Sequence, residues 1–157
     1  MRPATVQPPY DVEVSSAPRD SFDLAEDARQ LLAEIDRDVP GAADVSADCR
    51  PPVDVIETPG GLEVVVDVPG VPAESLRVAV GRHTLLIVGA KLTTTPDAAR
   101  YHLAERSYGR FARAVRLDGA FDATRARATS ARGELRITLP RLDDRRGRIL
   151  RIPVEPA

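Results

Sequence analysis

The residue types that most often do chemistry are sparse in this sequence and do not fall into catalytic spacings. Ser130, His102 and Asp97 are the types of a nucleophile, a base and an acid, but no nucleophile-elbow motif surrounds the serine. His102 and His83 lack the spacing of metal ligands, and the single cysteine, Cys49, excludes a multi-cysteine zinc site and intrachain disulfides. The sequence therefore predicts no enzyme, no metal site and no cofactor.

Composition narrows the classes of protein further. Of the 157 residues, 43% are hydrophobic and 29% are charged, which is typical of soluble globular proteins. No apolar run approaches the length of a membrane helix, and residues 1–9 lack the apolar core of a secretory signal, so we expect a cytoplasmic protein without a membrane partner. Basic residues alternate with acids, and three tyrosines, three phenylalanines and no tryptophan offer few stacking platforms, so nucleic acid is not an expected partner.

Residues 1–50 are predicted to form a flexible N-terminal arm with one amphipathic helix. Residues 1–20 contain four prolines and no helical period. Ser21 is a suitable N-cap for a helix over about 21–36, and the segment 40–41 (Pro-Gly) ends it before a linker that reaches residue 52. One apolar stripe follows the helical spacing, namely Leu24, Ala28, Leu31, Leu32 and Ile35. That stripe must face the body of the protein, a partner copy or a client.

From residue 51 to residue 141 the period changes from helical to alternating. Short β-branched or alternating runs, separated by Pro, Gly and other turn signals, predict strands near 53–57, 62–68, 76–80, 84–88, 111–117, 125–130 and 135–139. This spacing predicts an all-β sandwich. A body of about 90 residues buries only a modest core, which makes stabilisation by oligomerisation plausible.

The segment 90–108 interrupts this rhythm. A connection of this length is uncommon in a compact domain unless it has a function. Tyr101 and Leu103 alternate around His102, which predicts a short extra strand inside the loop. Because long connections flank that strand, we expect it to reach another subunit, and such an exchange is a low-cost route to a dimer.

The C-terminal extension, residues 142–157, carries a second pattern in Ile152, Pro153 and Val154. The proline fixes its own φ and disfavours a helical residue before it, so the tripeptide stays extended. Ile152 and Val154 then point the same way and suit two holes beside a sheet edge. Read from the residues alone, the two side chains either dock in such a groove, pack on their own domain or are incidental.

These pieces, in order, resemble the small heat-shock protein (α-crystallin) family. The resemblance is carried by residues 52–58, 66–71, Leu85, Ile87, Gly89, 105–106, 109–113, Ala128, Gly133, Leu135, 139–141 and 152–154. It spans about two-thirds of the chain. Two departures stand out: Ala90 replaces an acidic residue common in bacterial members, and Leu117-Asp118 replaces the usual Leu-Pro, so the turn there is expected to be built differently.

The resemblance implies an immunoglobulin-like β-sandwich, the α-crystallin domain, that acts as an ATP-independent holdase in the stress response. The spacing from Gly89 to Glu105 is similar to that of members whose dimer forms by loop exchange. It implies a dimer interface at Tyr101, Leu103, Glu105, Arg106 and Arg113. Dimers would then join into a higher oligomer through Ile152, Pro153 and Val154, which enter a groove on another dimer formed by Leu76, Val78, Val80, Ala126 and Ala128.

Partly unfolded client proteins are the second implied partner, and ATP-driven chaperones would receive these clients afterwards. Our client-binding candidates lie in the arm: Phe22, Leu24, Leu31, Leu32 and Ile35. A fold does not determine a function by itself. The alternative is therefore a structural or adaptor protein that uses a related sandwich to dock one dedicated partner, for which a self-assembly tail would not be needed.

Overall fold

The computed structural model of the chain is a sandwich of two β-sheets with one helix packed on its outside. It describes residues 10–11, 14–16, 24–42, 49–81 and 83–142. The strands and the helix are β1 (Tyr10–Asp11), β2 (Val14–Ser16), α1 (Leu24–Asp38), β3 (Val53–Thr58), β4 (Gly61–Asp67), β5 (Leu76–Val80), β6 (Thr84–Lys91), β7 (Gly109–Arg116), β8 (Arg127–Ala131) and β9 (Glu134–Pro140). Short 3₁₀ turns at Ala73–Ser75 and Ala123–Arg125 precede β5 and β8.

The strands form two sheets, which confirms the predicted all-β sandwich. Sheet 1 has the order β1-β8-β9-β4-β3, and sheet 2 has the order β2-β5-β6-β7. The strand pairs are antiparallel except β2 with β5, which is parallel. Strands β3 and β7 therefore end their sheets, and β1 and β2 end them on the other side.

The core between the sheets follows from the alternation in the sequence. In β9, Leu135, Ile137 and Leu139 are fully buried, and the residues between them face solvent. Val64 and Val66 of β4 lie opposite Ile137 and Leu135 in the register. Each aliphatic side chain buried in this way contributes about 1.5–3 kcal/mol.

Strand β6 departs from simple alternation because both of its faces are buried. Leu85 and Ile87 belong to the core between the sheets. Leu86, Val88 and Ala90 lie on the opposite face and belong to a second apolar cluster. The continuous apolar run predicted as one short strand is therefore a strand between two cores.

Helix α1 supplies the other side of the second cluster. Ile35 is fully buried there, and Leu31 and Leu32 are half-buried. The Val39 amide donates to the Ile35 carbonyl at 2.8 Å, and Gly41 takes a positive φ of 81° where the helix turn closes. The predicted amphipathic helix is thus present, and its apolar stripe faces the body of the protein.

One local expectation about the strands is wrong, and a second concerns contact with another subunit and stays a prediction. Residues 1–20 were expected to lack regular structure, but β1 and β2 lie within them. Such short strands pair through the backbone and leave no side-chain period to read. The extra strand expected around Tyr101 and Leu103 is not present, since the structure has no strand over residues 92–108. A strand needs a paired neighbour, and this single chain offers none to that loop.

The close packing of β6 on β7 generates a stability prediction. A Cβ added at Gly89 would overlap the Phe111 ring and would lie 3.0 Å from Leu76 Cδ2. Overpacking of this kind costs about 1–3 kcal/mol. We expect Gly89→Ala to lower the free energy of unfolding by that amount in urea denaturation followed by circular dichroism.

Gly60→Ala is the matched control for this prediction. Its Cβ would have no atom within 4 Å, so its effect should stay within about 0.5 kcal/mol. Equal stability of the two variants would contradict the account of packing around Phe111.

Candidate functional site

The residues predicted to form the anchor groove lie on or next to β5 of sheet 2 and β8 of sheet 1. The five residues assigned to it are all buried in the core between the sheets: Leu76, Val78, Val80, Ala126 and Ala128. Three Cα–Cα steps lead from Asp11 of β1 to Val14 of β2, so these two Cα atoms are at most about 11 Å apart. Because β1 pairs with β8 and β2 pairs with β5, this short link brings the β8 end of sheet 1 and the β5 end of sheet 2 to the same side of the sandwich.

In this chain, β1 lies along β8 and β2 lies along β5. Tyr10 lies opposite Ser130 in the register, and Val14 lies opposite Val78. Without β1 and β2, strands β8 and β5 would be edge strands, and an edge strand offers unpaired backbone groups that recognise an extended segment by hydrogen bonding. We name this place, formed by the edges of β5 and β8, the open edge. Its geometry suits an extended peptide.

Sequence reasoning missed β1 and β2 as the segments that pair along the open edge. A signal was present, because residues 12–14 read Val-Glu-Val and repeat the spacing of apolar residues in the segment 152–154, Ile-Pro-Val. Ile152, Pro153 and Val154 themselves lie outside the described residues, and so does Phe22. Their assigned roles stay predictions.

The predicted dimer residues of the long loop are exposed. Tyr101 is 57% exposed and Leu103 is 74% exposed, which is unusual for large apolar side chains. The hydroxyls of Thr93 and Thr95 hydrogen-bond the Tyr101 phenol and lower its pKa. The loop therefore has internal order while it presents two apolar side chains to the outside.

The remaining residues assigned to the dimer interface lie near the same loop or on β7. Glu105 and Arg106 are exposed, and the Arg106 guanidinium lies 5.1 Å from the centre of the Tyr108 ring. In this chain the Arg113 Nη1 donates to the backbone carbonyl of Pro51 at 2.5 Å. Arg113 thus ties the segment before β3 to β7.

A third surface is the outer face of sheet 2 under α1. Two arginines of the sheet meet carboxylates of the helix. Arg77 lies 2.8 Å from Asp38 and 3.8 Å from Glu34. Arg110 of β7 lies 3.2 Å from Asp36.

The predicted client-binding residues differ in how far this arrangement buries them. Leu24 begins α1, Leu31 and Leu32 are half-buried, and Ile35 is fully buried against the sheet. Ile35 is therefore accessible to a client only if the helix leaves the sheet.

The residues considered for catalysis are not assembled. Ser130 is buried in β8, whereas Asp97 and His102 are exposed in the long loop, and no hydrogen bond joins the serine to either in the described part of the chain. Within the same residues, no three His, Cys, Asp or Glu side chains are grouped to hold a metal ion. None of the described helices is long and apolar enough to cross a membrane.

Comparison with known proteins shows which family has this architecture. The model of the Hsp20/alpha crystallin family matches residues 54–155. A small heat shock protein C2 from Rickettsia felis is 26% identical over 114 residues, which cover 72% of this chain and 74% of that protein. An 18.9 kDa heat shock protein from Oryza sativa subsp. japonica is 30% identical over 139 residues, or 85% of this chain and 78% of that protein. The chain therefore belongs to the Hsp20/alpha crystallin family.

Solved structures agree with this assignment. A small heat-shock protein from Xylella fastidiosa, described as having a distinct high order structure, has a TM-score of 0.59 and is 27% identical. Heat shock protein 16.0 from Schizosaccharomyces pombe has a TM-score of 0.58 and is 26% identical. Each match covers 69% of this chain and all of the other chain. The predicted resemblance is confirmed, and membership of the family supports a chaperone role.

The position of Ile35 generates a prediction about α1. Its cluster is separate from the core between the sheets, so an acid at position 35 should undock the helix and leave the sandwich folded. Losing this apolar contact costs about 2–5 kcal/mol, and a buried charge costs more. In Ile35→Asp we expect the α1 amides to exchange hydrogen more than about tenfold faster, with no change in β9.

Ala33→Asp places the same acid on the exposed side of the same helix and serves as the control. Its α1 amides should keep the protection of the wild-type chain. Equal loss of protection in both variants would mean that the helix, and not its contact with the sheet, was disturbed.

Proposed function

We propose that this protein is an ATP-independent holdase of the cytoplasm that works as a dynamic oligomer. It binds partly unfolded proteins, prevents their aggregation and leaves refolding to ATP-driven chaperones. The observation that carries the proposal is the pairing of β1 with β8 and of β2 with β5, because it supports an open edge that accepts extended polypeptide. Unfolding proteins expose such segments together with apolar side chains.

Independence from ATP is supported by the pattern of glycines. Gly70 and Gly133 take positive φ values of 76° and 78° in turns, and Gly89 is packed under the Phe111 ring. These three glycines have structural roles of their own, and the sequence contains no Walker pattern.

We assign the dimer to an exchange of the long loop. Strand β3 ends sheet 1 and exposes Val55 and Ile56 at 49% and 43%, so its edge combines unpaired backbone with apolar side chains. The loop presents Tyr101 and Leu103, which also lack apolar cover. Pairing the loop of one subunit along β3 of another would give the loop the strand partner that it lacks in the single chain.

Leu103→Glu tests this dimer. At 74% exposure the substitution leaves the fold of a single chain unchanged, but in the dimer it would place a charge against β3. We expect sedimentation velocity to show monomers at concentrations where the wild-type chain is at least a dimer.

Leu142→Glu is the control for Leu103→Glu, because Leu142 is also an exposed leucine, at 43%, and lies outside the loop. It should sediment as the wild-type chain does. A Leu103→Glu variant of unchanged size would contradict the loop exchange.

We assign the higher assembly to the tripeptide Ile152, Pro153 and Val154 docked on the open edge of another dimer. There it would replace β1 along β8 and β2 along β5. Burying two aliphatic side chains yields roughly 3–6 kcal/mol before ordering costs, so one such contact is weak and reversible. Many copies in a closed shell add up through effective concentration and give an oligomer that exchanges subunits.

Removing both aliphatic side chains from the anchor tests its role. Ile152→Ala with Val154→Ala should reduce the particle mass toward that of dimers, because the docked contact disappears, and should leave the β spectrum unchanged. The measurement is size-exclusion chromatography with multi-angle light scattering.

Ile149→Ala with Leu150→Ala removes a similar apolar volume just before the anchor and is the matched control. This control should keep the mass of the wild-type particle. The anchor role fails if the 152/154 variant also keeps that mass.

The chaperone function is tested by light scattering of a heat-stressed or reductant-stressed model protein without ATP. We expect aggregation to be suppressed near a one-to-one mass ratio, together with a particle well above a dimer. Absence of suppression with a small fixed oligomer would overturn the proposal and would favour an adaptor that docks one dedicated partner.

A further inference from the structure

The outer face of sheet 2 is an apolar surface, and in this chain α1 occupies it. The sheet contributes four side chains that are at most 6% exposed: Ala79, Leu86, Val88 and Ala90. Ile35, Val39 and Ala42 cover them from the helix side and are equally buried. The face therefore accepts the aliphatic stripe of an amphipathic segment.

Two arginines at the border of this face each need a carboxylate partner from the segment that covers it. Arg77 binds Asp38 and Glu34, and Arg110 binds Asp36. The side chains of Arg77 and Arg110 are 16% and 34% exposed, so their charges are partly withdrawn from water and need a carboxylate nearby. A segment that binds here must combine an aliphatic stripe with flanking acids.

The contact between α1 and the sheet is suited to opening. Asp36 Oδ1 and Arg110 Nε are buried without a hydrogen-bond partner in the described part of the chain, and unsatisfied groups weaken the docked state. The cluster under the helix is also separate from the core between the sheets. The helix can thus leave as a local unit while the sandwich stays folded.

We propose that this outer face is a client-binding surface and that α1 is its built-in competitor. The proposal rests on the chaperone function proposed above. Its ligand is an aliphatic, acid-flanked segment of a partly unfolded protein, which takes the place of α1 between Arg77 and Arg110. Displacement also frees Leu31, Leu32 and Ile35 on the helix, so opening exposes two apolar surfaces at once.

Substitutions in α1 that weaken its contact with sheet 2 test the client-binding role of the outer face directly. Glu34→Gln, Asp36→Asn and Asp38→Asn, combined in one chain, remove the helix carboxylates and leave both arginines in place. The probe is a fluorescent peptide that copies residues 24–42. We expect this variant to bind the peptide at least about tenfold more tightly than the wild-type chain does, because its own helix competes less.

Two controls accompany the peptide experiment. Glu57→Gln, Glu63→Gln and Glu134→Gln neutralise the same number of acids in sheet 1 and should leave peptide affinity unchanged. A scrambled peptide should bind neither chain. Equal peptide affinity for the helix variant and the wild-type chain would overturn the proposal.

A cross-link that holds α1 on the sheet separates this proposal from the chaperone function. Asp38→Cys and Glu74→Cys, in a chain with Cys49→Ser, are joined by a short bismaleimide, and the same protein without reagent is the control. Arg77 stays in place and joins the two positions, because its guanidinium donates to Asp38 at 2.8 Å and to the Glu74 carbonyl at 2.7 Å. We expect the cross-linked form to lose most of its suppression of aggregation. Unchanged suppression after cross-linking overturns the client-binding face alone, whereas no suppression by the wild-type chain or the control overturns the chaperone function with it.

Discussion

Sheet 2 has two apolar faces, and only one of them can face sheet 1. This constraint begins in the continuous apolar run of β6, where Leu85 and Ile87 alternate with Leu86 and Val88. An outer face with such side chains must be covered by something, because exposing it to water is costly. In this chain α1 covers it, and the acids of the helix lie where the arginines of β5 and β7 need them.

The open sandwich sets a second requirement, which concerns strand edges. Two sheets that do not close into a barrel leave edge strands with unpaired backbone groups. The chain covers β8 with β1 and β5 with β2, and it leaves β3 as the end of sheet 1. Segments of the same chain thus occupy two of the three surfaces that the proposed chaperone would use, and only the region of β3 and the long loop awaits a partner.

The sequence predicts the sandwich well because each strand carries its own signal. Leu135, Ile137 and Leu139 alternate with polar residues and form the centre of the core, and the helical spacing up to Ile35 yields a real helix. The direction of the helix stripe could not be predicted, since a period shows which residues share a face but not what that face meets. The apolar run of β6 indicates that both faces of its sheet are buried, but it does not show which segment buries the outer face.

Other parts of the candidate site lay beyond sequence reasoning for physical reasons. The pairing of β1 and β2 depends on backbone hydrogen bonds, and the short Val-Glu-Val pattern beside them does not show which strand they meet. The strand expected around Tyr101 needs a neighbour that a single chain does not supply. The bond from Arg113 to the Pro51 carbonyl joins residues far apart in sequence, and no local pattern reveals it.

In the proposed chaperone, the chain covers its binding surfaces with its own segments until a client replaces them. The most direct measurement is hydrogen–deuterium exchange of the full chain, alone and with a protein that unfolds on mild heating. The account predicts that the client lowers the protection of the α1 amides and leaves the amides of β4 and β9 unchanged. Equal protection of α1 with and without a bound client would contradict it.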